Sequence, residues 1–333
     1  MFSPKFSFLL AACGTFLFLQ SCHSDDEEPR RDLNGKASGA FVSSSVAQID
    51  NNRLTCQIML YIVDDDGNFV NDLRVSAFEL NSDDTNAEFT ITGVSQSRLD
   101  HKGKYASALL MDQSGSMSSN DPNDLRIGAA EIFMNSLGST DQVMLASFTS
   151  NYRADLWIHG DGKLTHDVAD LIQEVNDLAG QEGGGTPLYR SCYAMSGHLA
   201  DAADDIGYTN RALIAFTDGQ NTDYADIDDV VDYANSQHVM IYTVGLSDGT
   251  DPKVLSYLAG QTGGAYMQAE DAEQLITMFG TLGDLLSGTA KLYSVAWEAR
   301  TTSSWQKGNT FTAYIDIDIG GNVYVRVPFS IVI

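Results

Sequence analysis

Hydrophobic and polar positions follow three successive patterns along this chain. From residue 53 to residue 103, apolar residues alternate with other side chains, a pattern typical of strands that bury one face. The first such run comprises Leu54, Cys56, Ile58, Leu60 and Ile62. After the turn "DDDG", the segments "FVNDLRVSAFEL" and "EFTITGVS" predict further strands.

Strands and helices alternate from residue 104 to residue 288. Short apolar runs such as "YASALLM" and "RALIAFT" predict buried strands, and stretches such as "DLRIGAAEIFMNSL" between them have helical periodicity. Several helical stretches begin with Ser, Thr, Asp or Pro, which helix N-termini prefer. The alternation predicts right-handed βαβ units, and therefore an α/β fold with a doubly wound, mainly parallel sheet.

The β pattern returns from residue 289 to residue 333. In "FTAYIDIDIG" the apolar residues lie on one face, and after Gly320 and Gly321 the valines of "NVYVRV" continue on a second strand. Neither flanking segment is long enough to form its own core. We therefore predict one β-sandwich built from residues 53–103 and 289–333, with the α/β domain of residues 104–288 inserted between them.

The first 21 residues predict a secretory signal that is not part of the fold. Lys5 precedes an apolar run that is too short to span a bilayer. The run ends in "LQSC", which resembles a bacterial lipobox and would make Cys22 the lipidated first residue of the mature chain. "LAAC", ending at Cys13, is a competing match whose cleavage would leave an apolar segment exposed. An ordinary signal cleaved nearby is the other alternative.

Residues 22–52 are polar and predict a flexible tether. The block from Asp25 to Glu28 is either a solvated part of this tether or an export signal, since it resembles the acidic signal that sends some Gram-negative lipoproteins to the cell surface. We expect an outer-membrane lipoprotein exposed at the cell surface; the periplasmic face is the alternative.

The net charge of the chain limits its partners. It has 45 acidic and 19 basic residues, which gives a formal charge of −26. Such a chain repels phosphate backbones, so we expect no nucleic-acid partner. The carboxylates also supply many oxygen ligands for hard cations, although most of them are expected to form only a solvated surface.

Cys56 and Cys192 remain if the expected signal is removed and Cys22 is lipidated. They could form a disulfide in an oxidising compartment, but each lies in an apolar segment of a different predicted element. We therefore favour two buried free thiols. The cysteines and histidines show no zinc-type spacing.

Oxygen-bearing side chains follow several of the predicted parallel strands. Asp112 ends the first strand of the α/β region, and Ser114 and Ser116 follow it. Asp218 follows the strand "RALIAFT", and Thr186 stands before a helix, behind three glycines that let the backbone approach a ligand closely. Because ligands of open α/β sheets bind beyond the carboxyl ends of the strands, we expect these five side chains to converge.

Each of these motifs also has an ordinary structural explanation. Asp112 could form a turn with its own backbone, and the two serines could cap the segment that follows. Thr186 before Pro187 has the sequence of a helix N-cap, and "TDG" at Asp218 is a common turn. The acidic clusters "NDPNDL" and "DYADIDD" could hold a second ion, but we expect them to supply negative charge at helix N-termini.

Taken together, the motifs resemble the von Willebrand factor A domain with its metal-ion-dependent adhesion site (MIDAS). That site consists of Asp-x-Ser-x-Ser, a Thr in a later loop and an Asp after a later strand. All five positions are filled in this chain, by Asp112, Ser114, Ser116, Thr186 and Asp218. The flanking β segments resemble, more loosely, those of other bacterial lipoproteins with such domains.

The resemblance implies a divalent cation, Mg²⁺ or alternatively Mn²⁺ or Ca²⁺. Mg²⁺ takes about six oxygen ligands and keeps some of its waters. Ser114 and Ser116 would bind it directly, Thr186 directly or through a water, and the two aspartates directly or through coordinated waters. An open coordination position would then accept an acidic side chain from a partner protein.

Three functions are compatible with the predicted cation site. The first is a lipid-anchored adhesion or protein-binding module, which the acidic block after Cys22 favours. The second is a periplasm-facing subunit of an envelope assembly or transport complex. The third, a metal-dependent hydrolase, is disfavoured because the sequence shows no second metal motif, general base or basic phosphate clamp, so we expect no enzyme.

Overall fold

The computed structural model describes residues 36–82, 87–98, 103–151 and 154–333. The expected signal, Cys22 and the acidic block lie outside these residues. Within the described part of the chain, no helix is long and apolar enough to cross a membrane.

The described residues form strands and helices in the following order. The strands are β1 (Ser38–Asp50), β2 (Arg53–Val63), β3 (Phe78–Asn81), β4 (Glu88–Arg98), β5 (Tyr105–Asp112), β6 (Gln142–Asn151), β7 (Ala154–Ile158), β8 (Asn210–Thr217), β9 (Val239–Leu246), β10 (Tyr266–Ala269), β11 (Lys291–Arg300), β12 (Thr310–Gly320) and β13 (Val323–Val332). The helices are α1 (Met117–Asn120), α2 (Leu125–Ser136), α3 (Ala169–Asn176), α4 (Leu188–Asp205), α5 (Ile227–Ser236), α6 (Pro252–Thr262) and α7 (Gln274–Ser287).

Parallel strands form the centre of the sheet, in the order β10-β9-β8-β5-β6. All eight residues of β5 are buried, as expected for a strand covered on both faces. The antiparallel strand β7 ends the sheet beside β6. Helices α2, α3 and α7 contribute to one buried face, and α4, α5 and α6 to the other. The predicted doubly wound α/β fold is confirmed.

The flanking strands extend this same sheet. Strand β1 pairs antiparallel with β10 and with β2, and β11 pairs with β2 on one side and β4 on the other. The result is one ten-stranded sheet. Since β1 covers residues 38–50, the prediction of a tether reaching residue 52 was wrong for this part of the chain.

A second sheet completes the sandwich formed by the two flanks. It has the order β13-β12-β3, and its apolar residues pack against the flanking part of the large sheet. Trp297 of β11 is fully buried there, and its ring lies 5.9 Å from that of Phe311 and 6.3 Å from that of Phe329. One layer of the predicted sandwich is therefore a continuation of the central sheet and not a separate sheet.

The segment "FVNDLRVSAFEL" differs from the predicted strand over most of its length. Only Phe78–Asn81 forms a strand, and a short 3-10 helix, Val75–Ala77, precedes it. Asp72 adopts a left-handed backbone with φ of 60°, and Leu73 donates its amide to the hydroxyl of Tyr293 at 3.0 Å. The apolar residues here are spaced like those of a strand, but the chain turns at Asp72 and cannot continue one.

Candidate functional site

The predicted site residues lie at the carboxyl edge of the central sheet. Asp112 is the last residue of β5, and Asp218 directly follows β8, which is the neighbour of β5 in the sheet. On the other side of β5 the neighbour is β6, so the strand order reverses at this point. Open α/β sheets bind ligands at such a reversal.

Asp112 is fully buried and orients the start of the site. Its Oδ1 accepts the Ser114 amide at 2.7 Å, and its Oδ2 accepts the Thr217 hydroxyl at 2.6 Å. Burial raises the pKa of the Asp112 carboxyl to about 7, the Thr217 hydrogen bond lowers it in part, and the charge of Asp218 raises it. The turn predicted as the ordinary alternative is present, but the second carboxylate oxygen ties this turn to the neighbouring strand.

The two serines face Asp218 from across the edge of the sheet. Ser116 Oγ lies 2.7 Å from Asp218 Oδ1, and Ser114 Oγ lies 3.4 Å from the same atom. The two hydroxyl oxygens are 3.1 Å apart. Asn120 donates to Asp218 Oδ2 at 2.9 Å. Ser116 does not cap helix α1 with its side chain. Asp218 uses both carboxylate oxygens as acceptors within this cluster.

Thr186 lies beside this cluster. It is buried, and a Cβ placed on Gly219 would come within 3.3 Å of Thr186 Oγ1 and 3.7 Å of Ser116 Oγ. Helix α4 begins at Leu188 after Pro187, and no side chain caps it at that position. The alternative that Thr186 is an ordinary helix N-cap was therefore wrong. The Thr186 hydroxyl has no hydrogen-bond partner among the described residues.

Residues 182–186, here called the glycine loop, pack against residues 113–116, here called the first loop. Gly183 donates its amide to Gln113 O at 2.9 Å, and Gly115 donates to Gly184 O at 3.1 Å. A Cβ on Gly184 would lie 2.3 Å from the carbonyl oxygen of Ser150. The glycines thus permit close contact between loops, where the sequence had suggested close approach to a ligand.

The loop after β8 caps helix α4, which the sequence analysis did not predict. Thr222 Oγ1 accepts the Thr186 amide at 2.9 Å, and the Thr222 amide donates to Thr186 O at 2.8 Å. Asn221 and Asp223 accept the amides of Tyr189 and Arg190 at 3.1 Å and 3.0 Å. Sequence spacing alone carries no signal for these contacts, because the partners lie more than thirty residues apart.

The other candidate ligands have structural roles. Asp121 accepts the amides of Leu125 and Arg126 at the start of α2, and Asp226 caps α5. The expected placement of these acidic clusters at helix N-termini is confirmed. No group of three or more His, Cys, Asp or Glu side chains in the described part of the chain is arranged to hold a metal ion. A cation at this edge of the sheet would therefore depend on hydroxyl oxygens.

A known protein resembles this chain in sequence. Calcium-activated chloride channel regulator 1 of Bos taurus is 28% identical over 232 residues, which cover 67% of this chain and 24% of that protein. The chain thus spans about a quarter of that relative's length.

Two solved structures match this chain at lower identity. A von Willebrand factor type A protein from Catenulispora acidiphila matches with 11% identity and a TM-score of 0.49, covering 89% of this chain and 74% of that one. Proximal thread matrix protein 1 of the mussel byssus, solved with its MIDAS motif occupied by zinc, matches with 15% identity and a TM-score of 0.42. That match covers 64% of this chain and 50% of the mussel chain.

The family assignment rests on a direct match to a family model. The model of the von Willebrand factor type A domain matches residues 108–281, which is more than half of the chain. The matched residues run from strand β5 to helix α7 and include all five predicted site residues. The chain belongs to the von Willebrand factor type A domain family.

Proposed function

We propose that Asp112, Ser114, Ser116, Thr186 and Asp218 hold a divalent cation through which this protein binds a partner protein. The observation that carries the proposal is the position of the two serine hydroxyls, both within 3.4 Å of one oxygen of Asp218. Domains of this family commonly serve in adhesion and protein interaction, and they often bind a divalent metal at this motif.

The donor set fits Mg²⁺ or Mn²⁺. It consists of carboxylate and hydroxyl oxygens only, which are the ligands that hard cations prefer. The Thr186 hydroxyl is free of hydrogen bonds within the described residues and adjoins Ser116 across Gly219. The two carboxylates supply charge, while the three hydroxyls are uncharged ligands and do not reduce the positive charge of an ion.

The chain's own residues orient the donors. Asp112 holds the first loop through the Ser114 amide and connects it to β8 through Thr217. Thr222 fixes the backbone of Thr186 through two hydrogen bonds. When bound, the ion would supply the positive charge that attracts an acidic side chain of the partner, which a chain with a net charge of −26 would otherwise repel.

We propose binding and not catalysis for this site. Domains of the family are mostly non-catalytic interaction modules. Both carboxylates near the hydroxyls are already engaged, Asp112 by Thr217 and Asp218 by Ser116 and Asn120. We further propose that Cys22 carries a lipid and that the protein is exposed at the surface of an outer membrane, on the grounds of "LQSC" and the acidic block.

Calorimetry with Mg²⁺ and Mn²⁺ tests the cation. Asp112→Ala and Asp218→Ala should remove most of the affinity, because each deletes charge that no hydroxyl replaces. Thr186→Ala should weaken ion binding less, because it removes an uncharged ligand. It should weaken partner binding more, because the Thr of this family's site contributes most when the partner is bound. Asp170→Ala, on the exposed first turn of α3, is the matched control and should bind like wild type. Equal affinity in wild type and folded Asp112→Ala would refute the site.

The adhesive function requires a separate test, of partner capture. Partner capture from host matrix and bacterial envelope extracts should disappear in EDTA and return when Mg²⁺ is added. A partner that is held equally well in EDTA would contradict binding through the cation, even if calorimetry shows the ion. A capture that depends on Mg²⁺ and is lost in Thr186→Ala would support it.

A further inference from the structure

A buried arginine stands behind the two loops of the candidate site. Arg126 is the second residue of α2, and its side chain is fully buried. Nη1 donates to Asp121 at 3.0 Å and to Asp124 at 2.8 Å. Nη2 donates to Glu182 and, at 3.4 Å, to the side-chain oxygen of Gln113. Burial lowers the pKa of the guanidinium, but the hydrogen bonds and charges of its acidic neighbours outweigh this and raise it.

The partners of Nη2 belong to different loops of the site. Gln113 lies between Asp112 and Ser114 in sequence, and Glu182 begins the glycine loop that leads to Thr186. Two backbone hydrogen bonds, from Gly183 to Gln113 and from Gly115 to Gly184, already join these loops. The guanidinium therefore adds a charged side-chain contact to the same junction.

Arginine has the geometry that this junction requires. Its planar guanidinium presents donors in a rigid fork, whereas the ammonium of lysine is a single point charge on a flexible chain. A buried ion pair often contributes little net stability compared with apolar residues of similar size. The position of Arg126 is accordingly better explained by the geometry it imposes than by the stability it adds.

We propose that Arg126 is a positioning residue that fixes the first loop against the glycine loop, so that the hydroxyls of Ser114 and Ser116 converge with Thr186 and Asp218. The expected effect on cation binding rests on the proposed function. The expected effect on the two loops does not, because it concerns only hydrogen bonds between described residues.

Mn²⁺ titration followed by electron paramagnetic resonance tests the first effect. Arg126→Lys keeps the charge but has one ammonium in place of two guanidinium nitrogens, so it cannot hold the acidic residues bonded to Nη1 and the two loops bonded to Nη2 at the same time. Mn²⁺ affinity should therefore fall about 10-fold to 100-fold, as for other residues that orient metal ligands. Arg211→Lys is the matched control. Arg211 is also buried, and it bonds to Gln237 O and Asp204 at the opposite end of β8. It should lose stability without losing Mn²⁺ affinity.

Amide hydrogen exchange, measured by NMR without added cation, tests the second effect. In Arg126→Lys the amides of Gly115 and Gly183 should exchange faster, because they close the junction between the loops. On the far side of the glycine loop, the Thr186 amide donates to the Thr222 hydroxyl and the Thr222 amide donates to the Thr186 carbonyl. These two amides should keep their protection. A purely structural role would change all four amides together, as global destabilisation does.

The outcomes separate the two ideas. Weaker Mn²⁺ binding with selective exposure of Gly115 and Gly183 supports the positioning role, and wild-type affinity with wild-type exchange in folded Arg126→Lys overturns it. A wild-type protein that binds no Mn²⁺ refutes the proposed function, while the exchange result still decides the role of Arg126. If Arg126→Lys does not fold, Glu182→Leu removes one arm of the junction and takes its place in both measurements.

Discussion

At the scale of single residues, Gly184 is under a double constraint. Its φ of +80° lies in the left-handed region, and a Cβ would lie 2.3 Å from Ser150 O. Gly184→Ala should therefore combine backbone strain with overpacking and cost roughly 2–5 kcal/mol. Because Gly184 O accepts the Gly115 amide, cation affinity should fall as well. Urea unfolding and calorimetry measure the two effects.

Gly180 is the matched control for this change. Its φ of +69° is similar, but nothing lies within 4 Å of a Cβ placed there. Gly180→Ala should cost only the backbone strain, about 1–2 kcal/mol, and leave cation affinity unchanged. If the two substitutions cost the same, the close contact with Ser150 does not constrain the glycine loop.

Cys56 and Cys192 are buried and unbonded, as the apolar segments around them predicted. Burial raises the pKa of each thiol to about 12. Both should therefore resist a thiol reagent at pH 8 in the native protein and react once urea unfolds it. A chain that starts at residue 23 is suited to this test because it lacks Cys13 and Cys22. Rapid reaction of either thiol in the native chain would contradict its burial.

The same pKa shift predicts a dependence of stability on pH. Below the ordinary thiol pKa of 9.0, both the folded and the unfolded chain keep the proton. Between about pH 9 and pH 12 the unfolded chain releases protons that the folded chain retains, so stability should fall across this range. In the double variant Cys56→Ser, Cys192→Ser, the urea midpoint should decrease less across this pH range. An unchanged decrease would show that other groups cause the loss of stability.

At the scale of elements, the two sheets depend on aromatic packing around β11. Trp297→Ala should cost about 3–5 kcal/mol, because the ring is fully buried between Phe89, Phe311 and Phe329. Hydrogen exchange should show lost protection in both β2 and β12. Trp157→Ala on β7, where the side chain is 38% exposed, is the control and should cost much less. Comparable losses would mean that the second sheet adds little to stability.

The types of the elements were predictable because their signals are local. The helical stretches from α2 to α7 and the strands from β5 to β10 follow the predicted order, since the periodicity of each lies within a few adjacent turns or residues. Strand β1 was missed because "SGAFVSSSVAQID" is rich in serine and only weakly alternating. It is a strand because β2 and β10 supply hydrogen-bond partners on its two edges.

At the scale of the whole molecule, the anchoring proposal can be tested with the full chain. Cys22→Ala should abolish labelling by a palmitate analogue and release the protein from the membrane fraction, because "LQSC" offers no other lipid acceptor. Cys13→Ala is the control and should keep the label. Undiminished label in Cys22→Ala would rule out this residue as the anchor.

Surface exposure requires its own variant. Deletion of residues 25–28 should keep the lipid but reduce protease shaving and antibody access on intact cells, if the acidic block directs export. Replacement of the same residues by Ser and Asn preserves tether length and distinguishes the lost charge from the lost length. Unchanged access in both variants would leave the acidic block as a solvated tether only.

The sequence by itself determined the types of most elements and named the five residues of the candidate site. Both rest on short-range patterns: periodicity over a few residues, and oxygen-bearing side chains placed where strands end. The structure then brought Ser114 and Ser116 within hydrogen-bond distance of Asp218 and put Thr186 beside them.

Only the tertiary structure decided which strands pair and what holds the loops in place. The alternation in β2 and β11 is the same whether these strands form a separate sandwich or extend the central sheet. Alternation indicates which face of a strand is buried, but it does not indicate which strand pairs with it. In the same way, the sequence predicts nothing more for Arg126 than a position in the first turn of a helix. Its contacts with Gln113 and Glu182 depend on residues 13 and 56 positions away, which no local pattern encodes.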